Sequence, residues 1–412
     1  MKTIKLKIFS IILFNILLSS ITMKINPQIG NQSIFSIPFN IKYNINDNIL
    51  INHTNRIYHL DFPHLNYINN NYSRYNSTIV TEISYLKIKY KPFELYFGRN
   101  YIESTNKLFF SNYSPSMDHL KINFKNKSIN YDYLIIKLNN SILEDPNDVS
   151  NNMYINRWYY YKELSIKINP KLSLTLTESI ISTGENRNIE WYYLTPLGLF
   201  LAEQVHNTSR EDGDSTSINN DNYFIGLNLG YTINPNIVFY TSIIIDDFQI
   251  DKEDREQYQD IFGMEFGVNY NKNNINIKLN YHYASPWLYL NNGVFTNYQI
   301  NNHPIGLRYP HSHAIELDME YSINKSMIQT IIYFGERGSQ DLNTEWNSSN
   351  NKIPYFKFND KIPIELYFKY SFMNLNKYIP NIIITHNWMG SNTNNIIFEW
   401  DFKFNKKTKI NN

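Results

Sequence analysis

The chain has 412 residues, with 38 Lys and Arg against 37 Asp and Glu and a formal net charge of +1. Neither sign dominates, so nothing points to nucleic acid or to an acidic partner. Cysteine is absent, which excludes disulfides, thiolate metal sites, a catalytic thiol and lipidation of an N-terminal cysteine. Charged residues make up 18% of the chain, below the roughly 25% of an average soluble protein.

The first element is N-terminal. Lys2, Lys5 and Lys7 form a basic stretch, and an apolar run from Ile8 to Leu18 follows, broken by Ser10 and Asn15. That length suits the hydrophobic region of a signal peptide and is short for a bilayer-spanning helix. A leader is therefore expected over residues 1–25, with the mature chain beginning between Ile21 and Asn26. An uncleaved anchor is the alternative. The rest, 26–412, reads as one domain, because Pro and Gly mark turns and no linker interrupts it.

Beyond residue 30 no apolar run approaches the roughly 18 residues of a membrane helix. Short segments alternate with period 2 instead. Leu172, Leu174 and Leu176 alternate with Ser173, Thr175 and Thr177; the apolar residues from Tyr223 to Ile233 alternate with Gly226, Asn228, Gly230 and Thr232. Ile275, Ile277, Leu279, Tyr281 and Tyr283 oppose Asn276, Lys278, Asn280 and His282, and Glu316, Asp318 and Glu320 oppose Ile315, Leu317, Met319 and Tyr321. A soluble sandwich shares this period. Three features favour the membrane. The strands run about 9 to 12 residues, enough to cross a bilayer at a tilt. Short turns (Asn169-Pro170-Lys171, Asn234-Pro235-Asn236, Asn324-Lys325) alternate with longer polar loops over 141–156, 205–221, 249–262 and 338–360. Aromatic clusters at Trp158–Tyr161, Trp191–Tyr193 and Trp287–Tyr289 suit interfacial girdles. The last strand agrees, with Ile396, Phe398, Trp400, Phe402 and Phe404 on one face ahead of a polar tail. The expected fold is all-β, a transmembrane antiparallel barrel of about 16–18 strands in a bacterial outer membrane. Outer-membrane lipid and the barrel-insertion machinery follow as partners.

Four ordered blocks resemble the capsule assembly Wzi family of outer-membrane proteins. The first runs from Tyr96-Phe97-Gly98-Arg99-Asn100-Tyr101 through Leu108–Asp118. The second runs from Arg157 through Thr177-Glu178-Ser179 and Gly184–Arg187 to Glu190 and Tyr193–Pro196. The third joins Asp221-Asn222 to Ile245-Asp246-Asp247-Phe248, and the fourth is His303-Pro304-Ile305-Gly306. Two family elements are replaced here, by Ile102–Asn106 and by Pro310-His311-Ser312. The resemblance implies a protein that binds capsular or other surface polysaccharide and helps to assemble or retain it, with a lumen obstructed by loops or short helices. Leu197–Val205 is a candidate for one such helix, or equally a strand.

For an anionic polysaccharide, guanidinium forks and aromatic faces are the natural contacts, which makes Arg99, Arg157, Arg187 and Trp191 the candidate ligand residues. The competing assignment pairs these arginines with Glu178, Glu190 or Asp118 inside the barrel, alongside Gly98, Asp246 and Asp247 as structural positions of the same blocks. Asp246 and Asp247 lack the ligand spacing of a Ca²⁺ loop and read as a solvated strand end. His303, His311 and His313 lie close in sequence and read as exposed loop residues rather than a metal site. No catalytic motif, cofactor or metal is expected. Two further classes stay open: a general porin, and an outer-membrane esterase or phospholipase with a Ser/His site recognisable only from geometry.

Overall fold

The computed structural model describes residues 21–29, 35–59, 71–74, 77–143, 153–185, 187–202, 220–247, 258–291, 294–323, 326–344, 346, 352–372, 381–389 and 391–402. Its strands are β1 (Ile21–Ile29), β2 (Phe35–Asn46), β3 (Ile49–His59), β4 (Asn71–Arg74), β5 (Ser77–Tyr90), β6 (Phe93–Asn100), β7 (Met117–Lys125) and β8 (Ile129–Lys137). There follow β9 (Ser141–Leu143), β10 (Met153–Lys167), β11 (Leu172–Glu185), β12 (Asn220–Asn234), β13 (Ile237–Asp247), β14 (Ile261–Lys272) and β15 (Ile275–Ala284). The last are β16 (Gln299–Ile300), β17 (His303–Pro304), β18 (Ser312–Ile323), β19 (Ser326–Arg337), β20 (Asp360–Phe372), β21 (Asn381–Met389) and β22 (Ser391–Phe402). One sheet holds 20 of them, and β16–β17 form a separate hairpin. Short β4 and β9 pair only with the upper parts of β5 and β10. Setting those two aside leaves 18 strands, each antiparallel to its sequence neighbour, and β1 closes the ring on β22 in the register Ile21↔Phe402 to Ile29↔Asn394. Closure removes every free edge, as a lipid environment requires.

Residues 1–20 lie outside the described residues, and Phe404 with the tail does too. Ile21–Ile25, which the leader expectation had included, pair in β1. A leader ending at Ser20 leaves that strand whole.

The abundant asparagines close the short turns. Asn126 Oδ1 accepts from the amides of Ser128 (2.9 Å) and Ile129 (2.8 Å), and Asn169 Oδ1 does the same for Lys171 (2.8 Å) and Leu172 (2.9 Å). These are Asx turns, favoured because the side chain replaces a backbone acceptor. These Asx turns lie at one end of the barrel, and the connections 101–116 and 285–311 lie at the other.

Alternation sets the two faces of the wall. Leu176 (45% exposed) pairs with outward Leu227, and Phe97 (64% exposed) pairs with Leu120. Leu229, Phe239, Phe266 and Leu279 are likewise exposed. The intervening polar residues point into the lumen and bond to one another, as Asn228 Nδ2 does to Ser242 Oγ (2.6 Å) and Asn123 Nδ2 to Asp132 Oδ1 (2.7 Å). Apolar outside and polar inside inverts the pattern of a soluble protein and matches a membrane barrel. Among the described residues no helix is long and apolar enough to cross a membrane.

Candidate functional site

Two connections turn inward instead of projecting from the long-loop end. One is 101–116, between β6 and β7; the other is 285–311, between β15 and β18, and carries the β16–β17 hairpin. Leu108, Phe109 and Phe110 of the first and Leu288, Tyr289 and Tyr298 of the second are fully buried. They pack on the inward side chains Leu134, Ile136, Tyr159, Tyr161, Ile181, Phe224 and Ile244. Gly226 makes room for Phe109: a Cβ there would lie 2.4 Å from the ring. The two segments also bind each other, through Ser111 N to Ile305 O (3.1 Å), Tyr289 OH to Leu108 O (2.6 Å) and Tyr298 OH to Phe109 O (2.9 Å). Burial raises the Tyr289 and Tyr298 phenols well above their ordinary range, so both stay neutral donors. The lumen along the wall from β7 to β20 is therefore filled by a plug.

Wall side chains hold this plug by its backbone. Arg157 is fully buried and donates to Asn139 Oδ1 (3.1 Å), Asn297 O (2.7 Å) and Gln299 O (2.9 Å). Glu163 receives Ser104 Oγ (2.6 Å), Thr105 N (3.1 Å) and Thr105 Oγ1 (2.7 Å). Asp246 accepts from Tyr289 N (3.2 Å). Such charge-assisted bonds satisfy plug groups that have no water to turn to.

Beneath the plug, toward the short turns, two cavities adjoin at Thr105. The larger, of about 1220 Å³, is lined by Tyr96, Lys121, Asp132 and Glu163 among others; its four lysines face five carboxylates. The smaller, of about 470 Å³, has Tyr113 and Tyr240 with Lys107, Lys278 and Arg308 against Glu265, Glu316 and Asp318. Much of this charge is internally paired, as in Lys121–Asp132 (3.1 Å) and Lys87–Glu94 (2.6 Å). The vestibule offers hydrogen-bond donors, acceptors and phenol faces in balance. It suits a hydroxyl-rich ligand better than a polyanion.

The four ligand candidates are not brought together. Arg157 is a plug anchor. Arg99 makes a bidentate pair with Asp118 (2.8 and 2.5 Å) on the outer face of β6 and β7, next to Gly98. Gly98 itself has φ +125°, and a Cβ would meet Ser84 O at 2.1 Å, so the backbone there requires glycine. Arg187 lies in a segment, 187–202, that folds back over the outside of the wall. Its guanidinium is saturated by Glu190 (2.6 and 2.8 Å), Asp221 (2.6 and 3.1 Å), Thr183 O (3.0 Å) and Tyr192 OH (3.1 Å). Trp191 is 84% exposed on this same segment.

Several expectations are corrected. Arg99 and Arg187 do pair with Asp118 and Glu190, but outside the lumen: Arg99 and Asp118 share the face of outward Phe97 and Leu120, and Arg187 and Glu190 lie on the segment that folds over the outer wall. Glu178 takes Lys162 (3.6 Å), also on the outer wall. Asp246 faces the plug instead of solvent, while Asp247 is exposed at the strand end. The helical turn that opens at Phe200 in the stretch beginning at Leu197 belongs to the outer segment and not to the plug. Of the expected girdle aromatics, Tyr159, Tyr161, Trp287 and Tyr289 are plug contacts. His311 is buried with Nδ1 2.8 Å from Gln340 Oε1, and His313 is half-buried in β18, so neither is a free loop histidine. Among the described residues no group of three side chains is placed to hold a metal.

The barrel is similar to several solved outer-membrane proteins. One is Wzi of Escherichia coli, described as an outer-membrane protein involved in group 1 capsule assembly and a carbohydrate-binding β-barrel: TM-score 0.61, 11% identity, 95% of this chain and 86% of that one. The chain has the outer-membrane β-barrel fold. Pseudomonas aeruginosa OccK8 (OprE) superposes with TM-score 0.51 at 10% identity over 93% of this chain and 97% of that one. OpdK of the same organism gives 0.50 at 7% identity, with the same coverage. No family model and no curated sequence matches the chain. These identities support the barrel fold and not membership of the Wzi family.

Proposed function

We propose that this protein is a non-conducting outer-membrane barrel that binds a surface polysaccharide and helps to assemble or retain it at the cell surface. The observation that carries the reading is the fixed plug. A barrel meant for solute flow has no use for Arg157, Glu163 and Asp246 bolting two segments across its interior, whereas a binding protein gains a rigid, preorganised floor and ceiling. The likeness to Wzi, a carbohydrate-binding barrel, supports the same reading. The ligand contacts shift from the guanidiniums expected in the sequence to the long-loop end, where a cleft of about 360 Å³ between 258–260 and 352–355 offers the Tyr258 and Tyr355 rings, with Gln259, Asp260 and Lys352 as polar contacts for sugar hydroxyls. We infer no enzymatic step and no cofactor.

Two measurements test this. Deleting the gene is expected to lower the amount of polysaccharide attached to the cell, and an unchanged amount sinks the proposal. Liposomes carrying the purified protein are expected not to swell in small sugars. Free swelling would transfer the reading to a porin, and hydrolysis of lipid by the purified protein would transfer it to an esterase or phospholipase.

A further inference from the structure

A charged pair sits where lipid is expected. Lys162 and Glu178 are directly opposite each other in the β10–β11 register, and Glu178 is also opposite Ile225 of β12, which is 46% exposed. Leu176, two residues along on the same face, is exposed as well. Four residues up β10, Trp158 aligns with Lys137 and Ser182, which begin a polar row near the long-loop rim together with Asp118 and Asp221. At about 3.3 Å per residue and a tilt of about 40°, the Lys162–Glu178 pair lies on the order of 10 Å below that row, within the apolar band.

The segment 187–202 roofs this pair, and the wall's outward polar groups serve its backbone. Glu178 Oε1 accepts from Phe200 N (2.7 Å), and Lys162 Nζ donates to Gly198 O and stands 3.5 Å from the Phe200 ring centre. Tyr133 OH donates to Tyr193 O (2.5 Å), Tyr131 OH to Pro196 O, and Trp158 Nε1 to Arg187 O (3.3 Å), while Tyr160 OH receives Glu190 N (3.1 Å). Non-helical backbone at membrane depth is tolerated only when its polar groups are satisfied by protein. The outward side of the segment carries Leu197 (87% exposed), Leu199 (68%), Leu201 and Trp191, continuing the apolar surface of the neighbouring strands.

We infer that residues 187–202 form a strap embedded in one leaflet of the membrane, with Leu197, Leu199 and Trp191 against lipid acyl chains and the Lys162–Glu178 pair sealed underneath. By the usual layout of outer-membrane barrels, with longer loops outside, this is the outer leaflet. The inference depends on the barrel fold alone and is independent of the ligand.

The test uses the full chain in phosphatidylcholine vesicles with acyl chains brominated at carbons 6 and 7. Subtracting the emission of Trp191→Phe from that of the unaltered chain isolates Trp191 from the five other tryptophans, out of 6 in all. Bromination is expected to quench that contribution at least about twofold, and an unquenched Trp191 overturns the strap. Because the chain has no cysteine, Leu199→Cys carries a unique thiol. A water-soluble maleimide is expected to label it at least about tenfold more slowly than the thiol of Glu185→Cys at the exposed end of β11. Equal labelling rates overturn the inference. Slow labelling without bromolipid quenching also overturns it, because the strap would then be covered by protein, such as a second copy of the chain.

Discussion

Replacing Arg157 with Met removes the buried hub between wall and plug at nearly constant length. The guanidinium makes three hydrogen bonds to plug and loop groups: Asn139 Oδ1, Asn297 O and Gln299 O. Bonds to a charged group contribute about 1.5–3 kcal/mol each, and removal leaves two buried carbonyls without this donor. Against this stands the desolvation of the buried charge, which the substitution relieves. Weighing these gives a net loss of about 3–4 kcal/mol for the closed plug. With about 1.4 kcal/mol per tenfold, the opened population rises on the order of 10²- to 10³-fold. The barrel wall, held by ladder hydrogen bonds elsewhere, stays folded. Planar-bilayer recording reads the outcome: silence for the unaltered protein and frequent openings for Arg157→Met, with the compact electrophoretic migration of a folded barrel retained. A folded Arg157→Met that stays silent, with 285–311 no more accessible to protease, would refute the assignment of Arg157 as the plug's anchor.

Gly98→Ala forces a Cβ against Ser84 O at φ +125° and is expected to cost about 1–3 kcal/mol, read as an earlier urea unfolding midpoint in lipid vesicles. Glu178→Gln leaves Lys162 without its counter-charge on the lipid side, an expected loss of about 2–4 kcal/mol in the same assay. Adding Lys162→Met to it should recover part of that loss. Gly226→Val drives a side chain into the Phe109 ring and should loosen 101–116, seen as faster hydrogen exchange across Leu108–Phe110. N-terminal sequencing of protein isolated from membranes should find a start that leaves Ile21–Ile29 intact. A start at Asn26 would cut β1 in half and count against its closure on β22.

The wall was readable because period 2 converts directly into face. Ile275 and Leu279 fall on the exposed side, and Asn280 and His282 inside, as their alternation requires. Glu178 shows the limit. It continues the Leu172, Leu174, Leu176 face, so its outward position was written in the spacing, yet its charge suggested the lumen. The resolution comes from Gly198 and Phe200, about twenty residues on, and local pattern carries no signal of that cover. An obstructed lumen was implied by the family resemblance, but which segments obstruct it was illegible for the same reason. Leu108-Phe109-Phe110 is a short apolar run like many strand fragments, and only its partners mark it as lumen filling: Gly226 on β12 and Tyr298 of the second segment. The candidate arginines were found as structural hubs, but the pairing of Arg187 with Asp221, 34 residues distant, follows from the β11–β12 register and not from proximity in sequence.

The most direct test of a glycan-holding, plugged barrel is equilibrium binding of the purified, vesicle-embedded protein to polysaccharide extracted from the surface of its own cells. Saturable binding that weakens at least about tenfold in Tyr258→Ala, at unchanged barrel stability, is the expected result. Absence of binding by a correctly folded protein with its plug in place would contradict the proposed function.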